Sequence, residues 1–351
     1  MAKRHLSDHQ IRRIRQQQKE RRHKSRDRAS GAAQQPGQGT DDTALGGERP
    51  GLVVCHYGQQ LDIESLHEES RGERFRCYQR SNLPPLVTGD RITWQAGEES
   101  SGVVVALEPR RSELVRPGFR GELRPVASNI DRVLVVIAPA PEPHANLIDR
   151  YLVAVETLEL EPAIVLNKTD LVGNAEQQQN LHALLQVYRD IGYPVLETCC
   201  EDGTGMDTLR QWLQQHTAVL VGQSGVGKSS LINQLRRDAG LREADDATVG
   251  ALSSGRTTGT HTTTATRLYH LPDGGDLIDS PGIREFSLWP LEPAELTRAF
   301  VEFRPFLGQC RFRDCSHQRE PGCALLAAVE EGAIHPQRLA SYQHILAAPP
   351  A

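Results

Sequence analysis

Short apolar runs broken by turns occupy residues 51–110: GLVVCHYG, LDIESL, RFRCYQR, GDRITWQ and SGVVVALEPR. None has helical length. Five strands at this spacing predict a small β-barrel, OB-like in strand number, with any other small β-domain as the alternative that periodicity alone leaves open. From residue 131 the texture changes. RVLVVIA, PAIVLN, PVLETC and AVLVG are apolar runs of strand length, and NLIDRYLVAVETLEL, AEQQQNLHALLQVYRDIG and MDTLRQWLQQH between them have the length and spacing of helices. Strand and helix in alternation predict an α/β sheet. The rhythm continues through the helix KSSLINQLRRDAG, a polar Thr-rich stretch over 246–264 and two strands, TATRLYHL and GDLIDS; beyond residue 290 the pattern is mainly helical.

The resulting organisation is a basic arm and linker over 1–49, an OB-like barrel over 50–112, an α/β domain over 113–292 and a helical domain over 293–351. A chain of 351 residues is long enough for two to three cores. Its longest apolar runs, such as RVLVVIAPA, stop well short of the ~20 residues a membrane span needs. The N-terminus lacks the apolar core of a secretory signal, so the expected location is the cytoplasm, with no membrane partner.

Charge changes this picture at one end only. The net charge is −5, yet residues 1–28 hold eleven Lys or Arg against three acids. This Gln-rich arm and the linker after it lack the apolar residues that offset chain entropy, and they read as a disordered extension. Such an arm can neutralise phosphates of a nucleic acid; a merely solubilising tail is the plainer reading.

Candidate chemistry sits on the α/β domain. Gly222-Gln223-Ser224-Gly225-Val226-Gly227-Lys228-Ser229, followed by Ser230, satisfies G-x-x-x-x-G-K-[ST] between a strand and a helix. The glycines let backbone N–H groups curl around phosphates, Lys228 reaches the β- and γ-phosphates, and the Ser229 hydroxyl can ligate Mg²⁺. Asn167-Lys168-Thr169-Asp170 closes another strand, at the edge of a parallel sheet where ligands bind. The Asp170 carboxylate can accept hydrogen bonds from N1–H and the exocyclic amine of guanine. Adenine offers an acceptor at N1 instead, and polar pairing of this kind discriminates by about 10⁴-fold. Read alone, the tetrapeptide is equally an ordinary helix-capping loop.

Asp279-Ser280-Pro281-Gly282 matches Asp-x-x-Gly: Asp279 would hold Mg²⁺ through water and the Gly282 N–H would sense a γ-phosphate, unless the four residues are a simple turn. GRTTGTHTTT over 255–264 lies where a first switch belongs and supplies Thr262 or Thr263 to Mg²⁺. Ile283 stands where many GTPases have the glutamine that orients water, so hydrolysis by the isolated protein should be slow.

Seven cysteines are an odd number for a disulfide framework. Cys310-x4-Cys315-x-His317-x5-Cys323 matches tetrahedral Cys₃His zinc ligation, with four protein ligands and no position left for a reactive water. Arg311, Arg313 and Arg319 beside it could meet RNA phosphate or simply be solvated.

The order of these motifs is unusual. The base motif precedes the phosphate loop, the switch loop and Asp-x-x-Gly, which is the GTPase set cut at a different point; closely spaced ends permit such rotation. The chain resembles the circularly permuted GTPases, and among them the small-ribosomal-subunit-dependent assembly factors. The resemblance covers about residues 50–347: OB-like domain, permuted P-loop GTPase core, and helical zinc-binding domain. It implies GTP/GDP and Mg²⁺ as ligands, one structural Zn²⁺, slow hydrolysis stimulated by the small (30S) ribosomal subunit, and a role in that subunit's late maturation through contact with its rRNA, by a monomer. It also makes His261 a candidate catalytic residue, with an exposed loop histidine as the bland alternative. In the fifth motif Thr198-Cys199-Cys200 replaces the usual Ser-Ala pair, which leaves its base contacts open. Two other readings remain: a non-catalytic RNA-binding scaffold with GTP as a timing ligand, and a P-loop ATPase or kinase in which the base motif is coincidence.

Overall fold

A computed structural model describes residues 46–57, 60–97, 100–118, 122–238, 266–279 and 288–347. The basic arm and the Thr-rich loop lie outside these residues. Five strands come first: β1 (Glu48–His56), β2 (Gln60–Ser65), β3 (Arg74–Gln79), β4 (Arg91–Ala96) and β5 (Ser101–Leu107). β1 pairs with β2 on one side and with β4 on the other, β2 pairs with β3, β3 with β5 and β5 with β4. The sheet therefore closes on itself, as the five short runs predict. Its interior is Val53, Leu61, Ile63, Ile92, Trp94 and Val104, alternate residues of the strands, all buried. β1 begins at Glu48, two residues inside the stretch read as linker.

The hairpin β6 (Glu113–Pro117) and β7 (Leu123–Ser128) follows as a separate two-stranded sheet. The sequence pattern does not assign it. It is anchored by Leu114 and Ala127, both fully buried.

The α/β domain comprises β8 (Arg132–Ile137), α1 (Ala145–Thr157), β9 (Glu161–Asn167), α2 (Ala175–Ile191), β10 (Val195–Thr198), α3 (Met206–Leu213), β11 (Thr217–Val221), α4 (Lys228–Asp238), β12 (Thr266–His270) and β13 (Asp276–Asp279). Its strand order is β10-β9-β8-β11-β13-β12. The first four pairings are parallel and the last antiparallel. Alternate residues of β8 serve opposite faces: Val133, Val135 and Ile137 join one core with α1 and α2, and Leu134 and Val136 join the other with α3 and α4. Each such fully buried aliphatic side chain contributes about 1.5–3 kcal/mol.

Two junctions are not legible in the sequence. β12 pairs antiparallel with β1, Cys55 opposite Arg267 and His56 opposite Thr266, so barrel and α/β domain share one eleven-stranded sheet. β4 leaves β1 at Leu52, and β12 takes up the edge beyond it. The second junction joins the C-terminal helices α5 (Pro293–Ala299), α6 (Ala324–Glu330) and α7 (Pro336–Ala347) to α1 and α2. Arg338 on α7 is fully buried, ion-paired with Asp149 on α1 and with Glu302, whose Oε1 lies 2.6 Å from its Nε. The Tyr188 hydroxyl of α2 donates to Asp149 Oδ1 at 2.8 Å. Removing one partner of such a buried pair strands the other's charge, at a cost of about 3–5 kcal/mol.

Candidate nucleotide site and metal centre

β11 ends at Val221 and the chain turns through Gly222, Gly225 and Gly227, all at positive φ, before α4 opens at Lys228. Two of these glycines are required by close approach. A Cβ at Gly222 would stand 2.2 Å from the Val136 carbonyl oxygen, and one at Gly227 2.3 Å from Asn167 Nδ2. The loop is thereby pressed against β8 on one side and the Asn167–Asp170 segment on the other. Lys228 is buried and curls back over the loop, its Nζ donating to the carbonyls of Gly222 (2.6 Å) and Gln223 (2.5 Å). Ser229 and Ser230 are exposed on the first turn of α4, whose positive dipole end favours an anion.

The base motif meets this loop directly. Asn167, at the end of β9 and 1% exposed, donates through Nδ2 to the Val226 carbonyl at 3.0 Å. Lys168, left-handed at φ +60°, donates through Nζ to the Gly225 carbonyl at 2.7 Å. Asp170 is exposed. Its orientation is set from β10: Cys199 Sγ lies 3.1 Å from Asp170 Oδ1, and Thr198 Oγ1 donates to Asn167 Oδ1 at 3.1 Å. Burial raises the Cys199 thiol above its ordinary value, so it remains an S–H donor. The sequence flags this segment only as a departure from the usual Ser-Ala, and its bonds to Asn167 and Asp170 emerge in the fold.

Asp279 ends β13, whose residue Ile278 lies opposite Val219 of β11 in a parallel pair. The Asp-x-x-Gly aspartate therefore leaves the sheet at the same carboxyl edge as the phosphate loop. His261, Thr262, Thr263 and Gly282 lie outside the described residues.

Cys310, Cys315, His317 and Cys323 bring their four ligand atoms within 4.8 Å of one another. His317 Nδ1 stands 3.5 Å from Cys310 Sγ and 3.4 Å from Cys323 Sγ. A tetrahedron with Zn–S and Zn–N bonds of ordinary length has an S···N edge of about 3.6 Å. Burial lowers the His317 imidazole, which keeps it neutral as a ligand must be. Burial, with hydrogen bonding to Cys323 and Cys310, pushes the Cys315 thiol up to about 12. A bound dication inverts that balance and deprotonates coordinating thiols. The Ala324 N–H, 3.3 Å from Cys310 Sγ, is placed to stabilise a thiolate. The donor set and its spacing fit zinc.

A family model described as RsgA GTPase matches residues 107–289. The small ribosomal subunit biogenesis GTPase RsgA of Pseudomonas putida is 54% identical over 347 residues, 99% of this chain and 98% of that protein. The chain belongs to the RsgA GTPase family. The RsgA of Azotobacter vinelandii is 53% identical over 350 residues, 100% of this chain and 99% of that protein. Among solved structures, YjeQ from Thermotoga maritima superposes with a TM-score of 0.68 at 30% identity, covering 86% of this chain and 100% of that one. YloQ, described as a circularly permuted GTPase, gives a TM-score of 0.63 at 26% identity, covering 88% of this chain and 96% of that one.

Membership in the RsgA family makes the protein a GTP hydrolase and brings guanine nucleotide and Mg²⁺ as ligands. The fold agrees with the expected one: a five-stranded barrel, a permuted α/β core and a C-terminal Cys₃His cluster able to hold zinc. No helix among the described residues is long and apolar enough to cross a membrane.

Proposed function

We propose that this GTP hydrolase acts in late maturation of the small (30S) ribosomal subunit, binding ribosomal RNA and turning over faster on the subunit than alone. The observation that carries the site assignment is the pair of bonds from Asn167 and Lys168 to the carbonyls of Val226 and Gly225, which puts the base-reading segment against the phosphate loop despite inverted chain order. The subunit enters through the name borne by the relatives.

In this reading Asp170 accepts from the Watson–Crick edge of guanine, and the aliphatic stem of Lys168 lies over the base. Lys228 exchanges the carbonyls of Gly222 and Gln223 for the β- and γ-phosphates, while the N–H groups from Ser224 to Ser230 cradle them. Ser229 and one of Thr262 and Thr263, with Asp279 acting through water, would hold Mg²⁺, which would supply neutralisation of phosphate charge there. Ile283 cannot orient water, so the isolated protein is slow, and His261 supplies that positioning when the subunit is bound. One Zn²⁺ at Cys310, Cys315, His317 and Cys323 is structural. Exposed Arg311, Arg313 and Arg319 around it and the barrel face RNA. The protein works in the cytoplasm as a monomer, with the arm, barrel, GTPase and zinc domains divided near residues 49, 112 and 292.

The deciding experiment measures phosphate release from GTP with and without purified small subunits. Stimulation in the wild type, its loss in Lys228→Ala, and a shift of Asp170→Asn toward xanthosine triphosphate are expected. Equal turnover with and without subunits would leave the protein a GTPase with another client. A Lys228→Ala variant as active as wild type would remove the phosphate loop from the chemistry.

A further inference from the structure

The barrel does more than sit beside the GTPase sheet: it holds the first of the two strands that run from the Thr-rich loop to Asp279. β12 begins directly after the Thr-rich loop read as the first switch, and β13, its antiparallel partner, ends on Asp279. The outer neighbour of β12 is the barrel strand β1, through only two residue pairs. Side chains add what that short ladder lacks. At one end of β12 the Arg267 Nη2 donates to the Tyr57 hydroxyl at 3.1 Å, and the Thr88 hydroxyl donates to the Thr266 carbonyl at 3.0 Å. At the other end His270 is gripped from both sides, Nε2 at 2.9 Å from Glu64 Oε2 on barrel strand β2 and Nδ1 at 2.6 Å from Asp276 Oδ1.

The register makes these pins consequential. Arg267 stands opposite Asp279, and His270 stands opposite Asp276. Each barrel contact is thus one cross-strand step from an end of the strand that delivers the Asp279 carboxylate. A hydrogen-bonded antiparallel pair moves as a unit, since sliding or tilting one strand alone breaks its ladder.

We propose that Tyr57 and Glu64 are positioning residues for hydrolysis: by holding both ends of β12 they let the barrel set where Asp279 stands, so that engagement of RNA by the barrel is delivered to the Mg²⁺ side of the nucleotide. This rests on the assignment of Asp279 and on the small subunit as stimulator. Neither Tyr57 nor Glu64 touches nucleotide in this scheme. Their removal should spare the resting enzyme and blunt its response.

The test is the double variant Tyr57→Phe/Glu64→Gln, which deletes one hydroxyl and one charge while keeping side-chain volume. GTP affinity, basal turnover and co-sedimentation with small subunits should stay within about twofold of wild type. Turnover at saturating subunit should fall on the order of tenfold, within the usual span of couplings between sites. A stimulated rate equal to wild type, or an equal fall in the basal rate, would overturn the proposal. Hydrogen exchange over residues 266–279 of the unaltered protein decides the matter should the variant fail to fold: protection must change when subunits bind, and an unchanged pattern overturns the proposal as well. Failure of the wild type itself to be stimulated would instead overturn the functional reading beneath it, and is told apart because it is read from wild-type turnover with and without subunits.

Discussion

The Asn167 side-chain amide donates to the Val226 carbonyl at 3.0 Å, across 59 positions of sequence and with both residues buried. In a GTPase of ordinary order the phosphate loop comes first; here the residue that braces it is made earlier. The bond needs only that β9 and β11 both flank β8, which the sheet provides whatever the order of its strands. The cut point of the chain is therefore free, while the contact is not.

Gly227 is where that contact is most exposed to mutation. With φ at +92° and a Cβ position 2.3 Å from Asn167 Nδ2, Gly227→Ala incurs left-handed strain and breaks the Asn167–Val226 bond. Together these cost on the order of 2 kcal/mol or more, so the Kd for GTP should rise roughly 30-fold. Gly274→Ala, at φ +81° with nothing within 4 Å of its Cβ position, serves as the control for strain without clash and should leave the Kd nearly unchanged. Equal affinities in all three proteins would mean the loop relaxes freely.

Cys199 should matter to the base and not to the phosphates. Its thiol is the group that fixes Asp170, so Cys199→Ala is expected to weaken GTP and GDP alike by roughly fivefold, the scale of one ordinary intramolecular hydrogen bond of about 1 kcal/mol. Cys199→Ser keeps a donor and should recover most of the loss. Isothermal titration with both nucleotides checks this; a serine variant as weak as the alanine one would show that size, and not donation, is what the site uses.

Glu320 organises the metal loop. Its carboxylate accepts from the N–H groups of Ser316 (2.8 Å), Gln318 (2.9 Å) and Arg319 (3.0 Å), around the left-handed His317. The Ser316 hydroxyl and backbone hold it well below the ordinary carboxyl range, so it stays ionised wherever the thiolates can bind. Glu320→Ala should reduce zinc affinity about 10- to 100-fold in a chelator competition, as loss of a supporting partner does in metal sites. Wild-type affinity in this variant would assign loop order to the metal alone.

The seam between barrel and sheet should be pH-dependent through His270. Hydrogen bonds with Asp276 and Glu64 push its imidazole up from the ordinary 6.5 to about 10. A folded-state value above the unfolded one contributes stability that is complete below pH 6.5 and is lost as pH rises toward 10. The thermal midpoint should therefore fall across that window in wild type and fall less steeply in His270→Gln. Parallel pH profiles would show that the histidine is not charged in the fold.

The chemistry is legible in the sequence because each motif is local: Gly222 to Ser229, Asn167 to Asp170 and Cys310 to Cys323 carry their meaning in fixed spacings. Strand and helix in the α/β domain are equally readable, since buried runs such as RVLVVI have no other use in a chain of this kind. What spacing does not convey is partnership at a distance. Nothing in TATRLYHL says that Thr266 and Arg267 pair with a barrel strand more than 200 positions earlier, because a strand of this composition fits many neighbours. The hairpin at Glu113–Ser128 escapes notice because its strands bury only Leu114, Ala127 and Ser128 and alternate weakly. Arg338 has the character of a surface residue, and only the convergence of Asp149, Glu302 and Tyr188 explains a fully buried guanidinium.

The seam also imposes a schedule on synthesis. Tyr57 leaves the ribosome 210 residues before its partner Arg267. At about 5–20 residues per second, the far half of β1 waits on the order of 10–40 s for a neighbour. An unpaired strand edge in a nascent chain invites wrong partners in proportion to its length. Because β4 already covers β1 as far as Leu52, only the last few residues of the strand stand open during that interval. The brevity of the junction, a weakness in the finished molecule, is what keeps the half-made one from adhering to its neighbours.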